Sequence, residues 1–126
     1  MHDDDRRERG TATRRAVLGT AHVERAAAKA SPLTADFQDF ITRYAWGEVW
    51  QRPGLDRRTR SFLTLAMLIA LGRDDELRLH LQGALNNGLS REEIREVLMH
   101  AAIYCGVPAA NHGFKIAGEV FAALDA

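Results

Sequence analysis

The chain of 126 residues has room for one domain. Lysine plus arginine equals aspartate plus glutamate at 17 each, so no net basic field recruits nucleic acid. A single cysteine excludes an intrachain disulfide, a CxxC redox pair and a thiolate-rich zinc site, and no apolar run reaches the roughly 18 residues of a membrane span.

Residues 1–13 carry mixed charge with no apolar period and no signal-peptide core. They are expected as a flexible charged tail, ahead of one helical domain over 14–126, in a cytoplasmic protein. From Arg14 to Ala30 the alanines, Val17, Leu18 and Val23 favour a helix, weakened at Gly19 and ended by Ser31-Pro32. Thr34 is placed to cap the next helix, along which Phe37, Phe40, Ile41 and Tyr44 recur at helical spacing. The segment "WGEVWQRPGL" (46–55) bends and turns at Gly47 and Pro53-Gly54.

Asp56 opens a helix to Leu71 that is apolar nearly all round after Ser61, the mark of a central, buried helix. Gly72 stops it, and Asp74 or Asp75 opens the next, which "NNG" (86–88) closes. Ser90 and Glu93 form a capping box ahead of Ile94, Val97, Leu98 and Ala101. Gly106-Val107-Pro108 breaks that helix, and a last one runs from about Ala109 to Ala123 with Phe114, Ala117 and Phe121 or Leu124 inward. No alternating pattern competes. The expected fold is all-α, a single-domain helical bundle of about six helices.

On the helix after Gly72, Leu77, Leu81 and Ala84 define an inward stripe. His80 lies about 60° to one side of Leu77, and Glu76 about 40° beyond it, at the border of core and surface. This pair reads as a helix-front ion pair, as an acid–base device, or as part of a metal site. The last lacks the second histidine of HExxH, and His100 and His112 would have to converge in space. Glu48 stands between Trp46 and Trp50; aromatic walls can raise a carboxyl pKa and make it a proton donor, or it is simply a surface acid. Arg52, before Pro53-Gly54, suits a carboxylate ligand or is a solvated loop charge. Asn111, near the last helix's N-terminus, meets an anion or caps the helix. Cys105 reads as a small core residue.

The motifs "RYAWGEVWQRPGLDRRTRS", "ELRLHLQGALNNG" and "AAIYCGVPAAN" together closely resemble the γ-carboxymuconolactone decarboxylases, over at least residues 34–123. The resemblance implies an all-helical, cofactor-free enzyme with no metal, usually a ring-like hexamer. It acts in the protocatechuate branch of the β-ketoadipate pathway, turning 4-carboxymuconolactone into β-ketoadipate enol-lactone and carbon dioxide. The same superfamily includes the alkyl hydroperoxide reductase D proteins, with Glu and CxxC-x-x-x-His. If His80 matches that histidine, the thiol positions fall on Arg73 and Glu76 and the expected Glu near Ser61, so thiol chemistry is excluded.

The resemblance then implies roles. Arg52 grips a carboxylate of the dianionic lactone, with Trp46 and Trp50 beside it. His80 donates toward the dienolate. Glu76 or Glu48 orients His80 or is itself the acid, and Tyr104 and Asn111 are weaker partners of the oxyanion. The alternatives are a decarboxylase or lactone-processing enzyme for another small acid, or a helical oligomer that binds a small carboxylate without turnover.

Overall fold

The computed structural model describes residues 2–126 and is all-α over them. Seven α-helices, a π-helical segment and a 3-10 turn fall into two compact units, Met1–Asp56 and Arg57–Ala126.

The first unit begins with α1 (Asp3–Leu18), where a charged tail was expected. Met1 lies outside the described residues. The helix forms because Asp3, Asp4 and Asp5 occupy its positive end and Arg6 and Arg7 reach back to Asp3 and Asp4. Distant partners then hold it: Arg7 Nε donates to Asp39 at 2.7 Å. No window of sequence contains both members of that pair. Gly19, expected inside one helix, instead separates α1 from α2 (Thr20–Ala28), with φ +90°. This break supplies the helix beyond the expected six.

Helix α3 (Ala35–Ile41) runs directly into the π-helical segment Thr42–Trp46 and then the 3-10 turn Val49–Gln51. Thr34 sits at the N-cap position of α3 but makes no capping bond; its Oγ1 accepts from Ser31 N–H at 3.1 Å. Gly47 N–H donates to Thr42 O at 2.9 Å, the five-residue step that defines the π turn. Backbone meets backbone here. A Cβ on Gly10 would run into the Thr42 carbonyl oxygen, and one on Gly47 into the carbonyl oxygen of Arg6. Val17, Leu18 and Trp46 supply the buried apolar side chains.

The second unit packs α4 (Arg57–Leu71), α5 (Asp74–Asn86), α6 (Arg91–Tyr104) and α7 (Val107–Asp125) around one apolar cluster. Leu77, Leu81 and Ala84 of α5 point into it as the 100° spacing requires, with Leu65, Ile69, Ile94, Leu98 and Ile116. Full burial of each Leu or Ile contributes roughly 1.5–3 kcal/mol relative to exposure. The capping box is complete: Ser90 Oγ accepts from Glu93 N–H at 3.0 Å, and Glu93 Oε1 accepts from Ser90 N–H at 2.9 Å.

Three expectations change. Helix α4 buries one stripe, Ser61, Leu65 and Ile69, and leaves Leu63, Met67 and Leu71 exposed, so it is not sheathed all round. Pro108 falls in the first turn of α7, where its missing N–H breaks no bond, so the helix starts at Val107. Its inward residues are Ala110, Gly113, Ile116 and Ala117, while Phe114 and Leu124 lie outside the core.

Candidate active site

The sequence candidates divide evenly between the units. In the first, Trp46 and Trp50 stack with ring centroids 4.9 Å apart at 25°, Trp46 buried and Trp50 half-buried. The π turn followed by the 3-10 turn brings these rings together. Gln51 Nε2 donates to Trp46 O at 3.0 Å and ties the two turns.

Glu48 is not enclosed by bare aromatic walls. Its Oε2 accepts from Arg6 Nε at 3.0 Å, and its side chain is 40% exposed. This hydrogen bond, followed by the Glu48 charge, raises the Arg6 pKa. Arg6 also lies 5.5 Å from the Tyr44 ring centroid. Sequence reading assigned Arg6 to a tail; the only signal was the i,i+3 charge pattern that makes α1 a helix. Arg52 ends the 3-10 turn in extended backbone, exposed, and lines a shallow cleft of about 220 Å³ with Glu48, Gln51 and Arg9. Glu48 and Arg52 therefore share one surface.

In the second unit Glu76 is exposed in the first turn of α5 and His80 is half-buried one turn later. Both stand at the edge of the Leu77–Leu81–Ala84 stripe, where the spacing placed them. Tyr104 ends α6, 78% exposed, its ring 4.8 Å from that of His100. The two line a largely apolar cleft with Phe62, Leu63 and Cys105. Cys105 is exposed, contrary to its expected place in the core, because α6 has ended at Tyr104. Asn111 is exposed at the fifth residue of α7, beyond the four free N–H groups, so it neither caps nor adjoins them. His112 pairs with Asp74 at 2.8 Å, at the start of α5. Among the described residues no three His, Cys, Asp or Glu side chains gather closely enough to hold a metal ion.

An all-helical chain with these motifs on α3, α5 and α6 belongs to the carboxymuconolactone decarboxylase family, whose signature matches residues 35–119. It is similar to 4-carboxymuconolactone decarboxylase of Acinetobacter baylyi, 49% identical over 121 residues, or 96% of this chain and 90% of the relative. It is also similar to a nitrosuccinic acid decarboxylase of Metarhizium robertsii, 52% identical over 101 residues, covering 80% of this chain and 71% of that one.

Proposed function

We propose that the chain decarboxylates 4-carboxymuconolactone to β-ketoadipate enol-lactone and carbon dioxide, within protocatechuate catabolism by the β-ketoadipate pathway. The carrying observation is the 49% identity to the bacterial decarboxylase, which extends over 96% of the chain.

The substrate contains its own electron sink. The bond from the γ carbon of the lactone to its carboxylate breaks. That electron pair moves through the ring double bond onto the lactone carbonyl oxygen, giving a dienolate. A proton then returns to the carbon α to that carbonyl, and the enol-lactone results. No coenzyme is invoked. Arg52 holds the acetate carboxylate through its guanidinium. His80 donates toward the dienolate, and Glu76 orients it from one turn away. Glu48, gripped by Arg6 and sharing a cleft with Arg52, aligns the carboxylate site and is the alternative acid. Trp46 and Trp50 give that end of the lactone an apolar wall. Tyr104 and Asn111 have the weakest support, being exposed on the end of α6 and on α7.

A second reading has its own support in the 52% identity to the nitrosuccinic acid decarboxylase. In both acids the carbon that loses carbon dioxide also carries a carboxymethyl arm and an electron acceptor, a conjugated lactone in one and a nitro group in the other. A cationic grip on the arm and a hydrogen-bond donor at the acceptor serve either reaction.

The deciding assay follows ultraviolet loss of 4-carboxymuconolactone and formation of the enol-lactone by metal-stripped protein, with nitrosuccinate in parallel. Gas release from the lactone at the higher kcat/KM is expected. Release from nitrosuccinate alone would replace the first reading with the second, and release from neither would end both.

The same reading makes the protein a cytoplasmic homo-oligomer, a hexamer, acting on a small dicarboxylate lactone rather than on nucleic acid or at a membrane. In support, no described helix is long and apolar enough to cross a membrane. Phe37, Met67, Leu71 and Ile103 are exposed large apolar side chains of the kind subunit contacts cover. Light scattering at micromolar concentration is expected to give six times the chain mass; a monomer would remove the assembly.

A further inference from the structure

Within the first unit, α1, α2 and α3 surround an open cleft of about 370 Å³, in the size range of small-molecule sites. Val23, Ala26 and Ala27 of α2 form an apolar wall. Facing that wall is Arg14, whose guanidinium has no carboxylate partner. Its Nη2 donates to Gln38 Oε1 at 3.0 Å and its Nη1 to Thr42 Oγ1 at a long 3.4 Å, both neutral acceptors. Its Nε is buried and unpaired.

The one carboxylate lining the cleft does not serve it. Asp39 accepts from Arg7 Nε at 2.7 Å and from Arg43 Nε at 2.8 Å. Arg7, Arg14 and Arg15 against Asp39 leave the lining with an excess of two positive charges, three minus one. Burial lowers the pKa of Arg14, as expected of a desolvated cation without a counter-charge. His22 registers the same potential: burial, then the fields of Arg14, Arg25 and Lys29, push its pKa down. A buried N–H without an acceptor and a half-buried cation without an anion are both unfavourable states.

We propose that this cleft binds a small carboxylate, one oxygen accepting from Arg14 Nε and the hydrocarbon part lying against the wall of α2. One free donor beside an apolar surface matches a carboxylate with a short aliphatic body. Inorganic phosphate, with more oxygens to satisfy, matches it poorly. None of Arg52, Glu48 or His80 lines this cleft, so the site goes beyond the proposed reaction.

The test uses the full chain and succinate as probe. The Nε–H resonance of Arg14 is identified by its absence from Arg14→Lys and followed during titration. It is expected to move downfield and saturate with succinate, and to stay in place with succinamide or with chloride at equal ionic strength. Calorimetry on Arg14→Gln, checked for native circular dichroism, is expected to show affinity at the cleft at least tenfold weaker. A resonance that ignores succinate, or that moves equally with succinamide, overturns the proposal. So does one already downfield without ligand that moves back on dilution, because a carboxylate from a second copy would then be the occupant. The wild-type titration decides even if both variants misfold. Because it reads binding and not turnover, loss of the decarboxylase reading would leave it standing, and an active enzyme with a silent Arg14 would still refute it.

Discussion

Arg6 and Glu48 meet at 3.0 Å across 42 positions of sequence, joining α1 to the turn between the two tryptophans. The contact reaches a candidate active-site acid from a stretch with no apolar pattern.

The Arg6–Glu48 contact should matter more for activity than for folding, because both side chains reach solvent and such pairs are weak in stability terms. Arg6→Met is expected to lower kcat/KM for the lactone several-fold with little change in melting temperature. Glu48→Gln should do the same, and the double variant should be no worse than the poorer single. Additive losses in rate would show that Glu48 acts without Arg6.

His80→Ala is expected to fold, by circular dichroism, and to lose about 10²–10⁴ in kcat/KM, the usual value of one positioned proton donor. Glu76→Gln should lose less and shift the pH–rate profile, since it acts through the imidazole. Wild-type turnover in His80→Ala would remove that residue from the reaction.

Acid should destabilise the protein in two stages. Burial, then neighbouring cations, hold His22 below its ordinary value of 6.5. The unfolded chain therefore binds this proton more readily, so the stability contributed by neutral His22 is full above pH 6.5 and is lost as pH falls through its folded value. The second stage comes from Asp39, held below 3.8 chiefly by its hydrogen bond from Arg7. Its contribution is present above that value and lost as pH falls through the lower folded one. In urea midpoints measured from about pH 7 to pH 3, His22→Gln should remove a step at the high end and leave the low end unchanged. Coincident wild-type and variant profiles would dismiss His22 as a source of acid lability.

Gly10→Ala places a methyl against the Thr42 carbonyl oxygen, which is fixed by its bond from Gly47 N–H. Backbone must shift, and a loss of about 1–3 kcal/mol in urea denaturation is expected. Gly54→Ala, with nothing within 4 Å of its added carbon, is the control. Equal midpoints for the two would mean that α1 adjusts freely.

Much of the second unit was legible because its information is local. Ser90 and Glu93 mark a helix start within four residues, and Leu77, Leu81 and Ala84 repeat at the helical period. Glu76 and His80 fell at the core's edge for the same reason. The first unit was less legible because its information is distant. Nothing near Arg7 announces Asp39, and nothing near Glu48 announces Arg6. The exposed face of α4 eluded sequence reading because leucine and methionine are equally apolar whether they meet this chain's core or another surface.

The ion pairs of α1 have one more consequence. Arg7 with Asp4 and Asp39, and Arg43 with Asp3, lie within reach of solvent ions, which shorten the range of such attractions to about 3 Å at molar salt. Leu65, Leu81, Ile94 and Ile116 cohere by excluding water, and added electrolyte does not weaken that. Brine thus acts selectively, slackening the N-terminal helix while the four-helix cluster around Leu81 keeps its grip.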